Sequence, residues 1–194
     1  YRGQFDVPEG LIYQPFDSEI DVCDDFEIPA DWPRWGGLDF GGVNTGAICI
    51  AERPVDKHLF LCREYLAGGK TTAQHAASLL GWSCRGWWGG APSEDQWRRE
   101  FAAAGMPVAP PLTPDVEVGI QAVFAVLAQH HMTVFRDCRR WLDEVGTYAR
   151  KTDKAGQPTE AIQDKQTFHL MDCTRYLLGT IRRPEGEIQV LRLG

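Results

Sequence analysis

Three features are missing from this sequence of 194 residues, and each absence excludes a class of protein. No apolar run approaches the roughly 20 residues that a transmembrane helix needs, so we expect no membrane partner. The six cysteines form no C-x-x-C pair and no Cys/His grouping, which argues against a zinc site and favours reduced thiols in a cytosolic compartment. No G-x-x-x-x-G-K-[ST] motif occurs, so the chain has no P-loop with which to hydrolyse ATP.

Positive charge is also scarce. Lys and Arg number 20 against 27 Asp and Glu, which gives a formal net charge of −7. DNA affinity comes mainly from Lys and Arg side chains that neutralise phosphates, so this balance argues against a free-standing DNA-binding module. It leaves room for an enzyme that holds metal ions with carboxylates and relies on another domain for its grip on DNA.

The start of the chain predicts how it is organised. It begins "YRGQFDVPEG", with neither an initiator Met nor a cleavable signal, so we expect a piece of a longer protein. Residues 1–33 are rich in Pro and acidic residues without a sustained period, which predicts an extended lead-in packed on a neighbour or on the domain surface. Residues 34–194 have the length and composition of one α/β domain.

The hydrophobic pattern predicts a mixed sheet flanked by helices. The runs Arg34–Phe40, Thr45–Glu52 and Lys57–Leu66 predict a three-stranded antiparallel meander, and further short strands are expected at 84–88, 106–111 and 132–137. Residues 150–163 are polar and punctuated by Gly and Pro, which predicts a loop or mobile hairpin. Helices are predicted to begin at Thr71 and Ser93, each with a capping box, and at Pro114, Asp137 and Lys165.

One acidic residue in the first predicted strand requires an explanation. In "WGGLDFGG", Asp39 ends an apolar run and precedes two glycines, which is compatible with a turn-capping role. A phosphate loop of the sugar-kinase and actin type is a second alternative, but that fold needs a second lobe for which this chain is too short. A third alternative is a metal-binding carboxylate, which needs partner acids because Mg²⁺ or Mn²⁺ requires several hard oxygen ligands.

The last predicted helix supplies a second acid. Asp172 borders the apolar stripe of that helix, where an unpaired carboxylate is costly unless something binds it. An ion pair with Arg175, one turn further on, explains the same position equally well.

Three segments, "YRGQFDVPEGLIYQPFD", "WGGLDFGG" and "FHLMDCTRYLL", together resemble the C-terminal nuclease domain of the large terminase subunit of tailed bacteriophages. The resemblance covers nearly the whole chain and implies a ribonuclease H-like fold, with residues 1–33 leading in from an ATPase domain. It also implies a metal-dependent endonuclease that cuts concatemeric double-stranded viral DNA by two-metal hydrolysis. On this resemblance Asp39 and Asp172 are catalytic ligands of two Mg²⁺ or Mn²⁺ ions.

Two departures from the family pattern concern the proposed site. The family often places its middle acid directly before a Pro, and this sequence has Ala91 there. We therefore expect Glu94 to complete the catalytic, metal-binding set, with Asp95 as an alternative, although the helix dipole alone favours acids in a first turn. Phe168 replaces another common acid, which leaves His169 as the residue that supports the metal ligands, or as a structural histidine.

The resemblance also implies partners. We expect Lys151, Lys154 and Lys165 to contact double-stranded DNA, the first two from the polar segment. The other implied partners are the ATPase domain, the portal protein and the small terminase subunit, in the cytoplasm of the infected bacterium and at the procapsid during packaging. Two alternatives stay open: another ribonuclease H-like nuclease, such as a resolvase or transposase core, and a non-catalytic docking domain of the motor, which Ala91 favours.

Overall fold

The computed structural model describes residues 10–181 of the chain. The strands are β1 (Val22–Cys23), β2 (Arg34–Asp39), β3 (Asn44–Glu52), β4 (Leu59–Gly68), β5 (Trp87–Gly89), β6 (Met132–Phe135), β7 (Arg150–Thr152) and β8 (Pro158–Ile162). The helices are α1 (Thr72–Leu80), α2 (Asp95–Ala103), α3 (Val116–Ala128), α4 (Arg139–Val145) and α5 (His169–Ile181), with a 3₁₀ turn at Lys165–Thr167. Within residues 10–181, no helix has both the length and the apolar character needed to cross a bilayer.

Six strands form one mixed sheet in the order β1-β6-β4-β3-β2-β5. β2, β3 and β4 are antiparallel neighbours, which confirms the predicted meander. β5 pairs in parallel with β2, β6 with β4, and β1 with β6. β7 and β8 form a separate antiparallel hairpin within the segment predicted to be a loop or hairpin. The predicted fold class, an α/β mixed sheet flanked by helices, is thus confirmed.

The alternation of side chains along β2 separates two cores. Trp35 faces the larger core, which contains residues of α3, α4 and α5, whereas Leu38 faces the smaller core with residues of α1 and α2. Successive residues of a strand point to opposite faces of the sheet, so Asp39 lies on the same side as Trp35. The acid at the end of β2 is therefore placed on the face that α5 covers.

Part of the predicted lead-in belongs to this packing. Tyr13 and Asp21 are both 1% exposed, and Asp21 accepts a 2.9 Å hydrogen bond from Nδ1 of His130. β1 extends the sheet beyond β6, and Tyr13 lies in the larger core, so the described residues of this segment contribute to the fold. Residues 1–9 and 182–194, and the predictions made for them, lie outside the described residues.

Three predicted boundaries were wrong. α2 begins at Asp95, with Glu94 rather than Ser93 at the N-cap position and no capping bond from a side chain. The predicted strand at 106–111 is reduced to one bridge between Ala109 and Trp88, since its three prolines have no N–H to donate. The last helix begins at His169, after the 3₁₀ turn.

α5 lies unusually close to the sheet where β2 and β3 carry glycine. A Cβ atom on Gly37 would overlap the carbonyl oxygen of Cys173, and one on Gly46 would lie 3.0 Å from Cβ of His169. Neither carbonyl nor helix backbone can move aside cheaply in a packed core. The absence of side chains at these two positions therefore sets the distance between α5 and the end of β2.

We predict that Gly37→Ala destabilises the domain by about 1–3 kcal/mol, because the new methyl group must displace the backbone of α5. Chemical denaturation followed by circular dichroism measures this change. Gly81→Ala is the matched control, since its φ is −67° and nothing lies within 4 Å of the added Cβ. That control should shift stability by less than about 1 kcal/mol. Equal stabilities of the two variants would contradict the close-approach interpretation.

Candidate active site

The sheet topology brings the predicted acids to one end of the fold. β2 and β5 are parallel neighbours, with Leu38 opposite Gly89, so the residues after their carboxyl ends lie side by side. Asp39 is the last residue of β2, and the loop that contains Glu94 follows β5. The first turn of α5 adds His169 and Asp172 from the face above. These four side chains thus come together from two strands and one helix.

Asp39 is bonded to His169. Oδ2 of Asp39 lies 2.7 Å from Nδ1 of His169, and the two side chains are 14% and 19% exposed. The hydrogen bond to Asp39 raises the pKa of His169 above its ordinary value, although burial acts in the opposite direction. The structure therefore places His169 where it orients one carboxylate oxygen of Asp39, and this hydrogen bond leaves the second oxygen uninvolved.

Asp172 forms the ion pair with Arg175 that was one of the two alternatives left open by the sequence. Its Oδ1 accepts a 2.6 Å bond from the guanidinium of Arg175, which is 2% exposed. Burial nevertheless raises the pKa of Asp172, Arg175 opposes this effect, and the nearby charge of Asp39 adds to it. Asp172 thus forms an ion pair with Arg175 and also experiences the negative charge of Asp39.

Glu94 lies in the same electrostatic environment. Burial is the main reason that its pKa is raised, and the charges of Asp39 and Asp172 raise the pKa further. Its Oε2 accepts a 2.5 Å bond from the backbone N–H of Ala91, which folds the side chain back over the loop. The expected substitute for the acid missing at Ala91 is therefore near the other two acids.

The loop that presents Glu94 is held by a buried arginine. Arg98 is 7% exposed and donates to the carbonyl oxygens of Gly89 at 2.9 Å, Ala91 at 2.9 Å and Pro92 at 3.2 Å. It also pairs with Asp95 at 2.8 Å. The side chain of Asp95 is 70% exposed and forms an ion pair with Arg98, so it belongs to the contacts that hold the loop rather than to the group of three acids.

Glu144 is a residue that the sequence analysis did not identify. Its Oε2 accepts the backbone N–H groups of Leu170 at 2.9 Å and Met171 at 3.0 Å, in the first turn of α5. Burial raises its pKa to about 7. Leu170 and Met171 lie 26 and 27 residues after Glu144 in the sequence, so no local sequence pattern marks this contact.

The predicted DNA-binding lysines lie in two places. Lys151 and Lys154 are exposed on the β7–β8 hairpin and its turn. Lys165 is exposed in the 3₁₀ turn before α5 and is near enough to Asp172 to lower the pKa of that carboxyl. Of these three lysines, Lys165 is therefore the one whose charge acts on Asp172.

The donor set suits a hard divalent cation, but the acids do not enclose one as they stand. Across residues 10–181, no three His, Cys, Asp or Glu side chains are grouped closely enough to hold a metal ion. The hydrogen bonds described above use one oxygen each of Asp39, Glu94 and Asp172. Carboxylate oxygens are the ligands that Mg²⁺ and Mn²⁺ prefer, so the chemistry fits and the spacing requires adjustment.

The order of the six-stranded mixed sheet and the helices that flank it define an α/β fold of the ribonuclease H-like class. Within that class, the fold is that of the nuclease domains of phage large terminases. The large terminase of the thermophilic bacteriophage D6E superposes with a TM-score of 0.74 at 22% identity, over 90% of this chain and 46% of its own. The present chain thus spans about half the length of that protein.

Isolated nuclease domains match over most of their length. The P22 large terminase nuclease domain has a TM-score of 0.70 at 21% identity, over 88% of this chain and 91% of its own. The nuclease domain of the bacteriophage SPP1 large terminase, solved with bound Mn, has a TM-score of 0.61 at 15% identity, over 80% and 94%. The sequence matches no protein-family model and none of the curated proteins. The likeness therefore rests on the fold.

We predict that the pKa of His169 lies above its ordinary 6.5 in metal-free protein and falls in Asp39→Asn, because Asp39 stabilises the imidazolium. NMR titration of the histidine rings measures both values. A folded pKa above the unfolded one means that the pair stabilises the protein fully below the unfolded pKa. That contribution is lost as the pH rises through the folded pKa.

His58 provides the control for this titration. It precedes β4 at the end opposite Asp39, and burial lowers its pKa. Its pKa should be the same in both proteins. An identical His169 pKa in the wild type and in Asp39→Asn would contradict the assigned ion pair.

Proposed function

We propose that the chain is the nuclease domain of a phage large terminase, a metal-dependent endonuclease that cuts concatemeric double-stranded DNA during genome packaging. The observation that carries the proposal is the convergence of Asp39, Glu94 and Asp172 at one end of a sheet with the fold of such domains. The charge of Asp39 raises the pKa of both Glu94 and Asp172, and the charge of Asp172 raises that of Glu94, as expected of carboxylates gathered to share cations.

Asp39 and Asp172 are the proposed metal ligands, with Glu94 in place of the acid missing at Ala91. Two bound Mg²⁺ or Mn²⁺ ions would supply an activated water and stabilise the leaving oxygen of a phosphodiester. The bound Mn in the SPP1 nuclease domain supports the choice of a divalent cation. His169 and Arg175 each contact one carboxylate oxygen, of Asp39 at 2.7 Å and of Asp172 at 2.6 Å, which orients each carboxylate.

The longer relative supports one of the proposed partners, an ATPase domain. This chain spans 46% of the D6E large terminase, so we propose that an ATPase domain in the full-length protein translocates the DNA. Portal protein and small terminase subunit are the further proposed partners, in the host cytoplasm at the procapsid. With a net charge of −7, the domain should bind DNA weakly alone, through Lys165 and the hairpin residues Lys151 and Lys154.

A non-catalytic docking domain is the second candidate. Ala91 replaces a family acid, and among the described residues no closed metal-binding group is present. Both observations are expected if the site has lost its activity while the fold remained. A resolvase or transposase core is less favoured, because such enzymes need more basic surface than this chain has.

We predict that the purified domain nicks and linearises supercoiled plasmid in Mn²⁺, and that Asp39→Ala and Asp172→Ala each abolish cleavage while the fold is retained. Asp39→Ala relieves repulsion among the acids, so its stability should change little, whereas Asp172→Ala leaves the buried Arg175 without its carboxylate and should lower the stability. Gel electrophoresis of the plasmid and thermal unfolding measure the two properties. Glu94→Ala should lower the rate, and Ala91→Asp should raise it by restoring the family acid.

Asp95→Ala is the matched control for the acid variants. It removes a carboxylate one residue from Glu94 that is occupied by Arg98, so it should change stability slightly and cleavage little. Inert plasmid with the wild-type domain in both Mg²⁺ and Mn²⁺ would support the docking domain. Unfolding of Asp39→Ala with unchanged metal affinity would make Asp39 a structural turn residue.

A further inference from the structure

We propose that Glu144 is a positioning residue of this site, because its carboxylate fixes the first turn of α5 and thereby the places of His169 and Asp172. The inference rests on the proposed nuclease function for its catalytic consequence. The contact itself is independent of that function. Glu144 is bonded to backbone groups and to none of Asp39, Glu94 or Asp172 in the described part of the chain.

The first step concerns the start of α5. The first N–H groups of a helix have no intrahelical acceptor and need one from elsewhere. The residue before the helix is Phe168, which has no side-chain oxygen to offer. Glu144 replaces the missing cap, since its Oε2 accepts the N–H groups of Leu170 and Met171 at 2.9 and 3.0 Å. The next amide, that of Asp172, donates within the helix to Phe168 at 3.1 Å.

The second step concerns the residues on either side of this cap. The two capped amides lie between His169 and Asp172, the two residues that α5 contributes to the site. His169 reaches Asp39 at 2.7 Å, and Asp172 reaches Arg175 at 2.6 Å. A shift of the first turn would therefore move both side chains relative to the end of β2.

The third step concerns what holds Glu144 itself. Its helix, α4, is capped in the same way by Glu64 of β4, which accepts from Arg140 N at 3.1 Å and Trp141 N at 2.8 Å. The indole N–H of Trp141 donates to Thr174 of α5 at 2.8 Å. These contacts fix α4, and with it the carboxylate of Glu144, relative to the sheet. Glu144 therefore connects the sheet to the first turn of α5.

The carboxylate of Glu144 provides both a hydrogen-bond acceptor and a negative charge, and substitutions can separate these two contributions because a single oxygen accepts both bonds. Because both amides donate to Oε2, Glu144→Gln keeps a suitable acceptor and removes only the charge, whereas Glu144→Ala removes both bonds. Glu144→Asp keeps the charge but withdraws it by one methylene. A positioning role requires Gln to rescue the site and Asp and Ala to impair it.

The experiment measures backbone protection and cleavage in the same proteins. Amide hydrogen exchange at Leu170 and Met171, followed by NMR without metal, should accelerate in Glu144→Ala and Glu144→Asp and stay near the wild-type rate in Glu144→Gln. In Mn²⁺, the kcat for plasmid nicking should fall about tenfold to a hundredfold in the Ala variant, because small misplacements of reacting groups are costly. The KM for plasmid should change less, and Gln should restore most of the kcat.

Thr71→Ala is the control for a lost helix cap. Thr71 caps α1 on the opposite face of the sheet through a capping box with Gln74, so its loss should lower stability without a change in kcat. Unchanged exchange at Leu170 and Met171 in both impaired variants would overturn the assignment of the cap. Accelerated exchange with an unchanged kcat would overturn the positioning role.

Failure of the proposed function gives a different result. In that case the wild-type domain cleaves no plasmid under any metal condition, while the exchange measurement still reports on the cap. If Glu144→Ala does not fold, Glu144→Asp supplies the same comparison. Wild-type exchange and wild-type kcat in the Asp variant would then overturn the proposal.

Discussion

The close approach of α5 to β2 and β3 is the constraint on which the candidate site depends. Gly37 and Gly46 leave room for the helix backbone, and any side chain at Gly37 would meet the carbonyl group of Cys173. Without that approach His169 would not reach Asp39 at 2.7 Å. The topology supplies the rest, since parallel pairing of β2 with β5 brings the Glu94 loop beside the end of β2. The packing of the backbone therefore determines where the side chains of the site lie.

The balance between buried carboxylates and nearby cations is the main electrostatic feature of the site. Several carboxylates in a half-buried space are costly unless cations accompany them. The protein provides one cation for Asp172, the buried Arg175, and a titratable one for Asp39, His169. Burial still raises the pKa of Asp172 and Glu94, so the protein's own cations do not fully offset the desolvation. Divalent cations would complete this balance, which links the packing to the proposed chemistry.

The sequence predicted what local patterns can specify. Short runs rich in β-branched and aromatic residues predicted the β2–β4 meander, and the Thr71 capping box is present as expected. Asp39 and Asp172 were named as candidates because acids at strand ends and beside apolar stripes are conspicuous, and their role as metal ligands came from the resemblance and stays a prediction. The contacts that hold the site could not be found in this way: Arg98 reaches the carbonyl oxygens of a loop, and Glu144 reaches amides 26 and 27 residues away. Such partners become visible only when tertiary packing is known.

The central claim is that Asp39 and Asp172 are ligands of divalent metal in this fold. Anomalous scattering from crystals soaked in Mn²⁺ tests it most directly, because it locates the ion without reference to activity. The account predicts a Mn peak bonded to the carboxylates of Asp39 and Asp172 at the end of β2, and its absence in an Asp39→Ala crystal. A peak elsewhere, or none at this position at saturating Mn²⁺, would contradict the account.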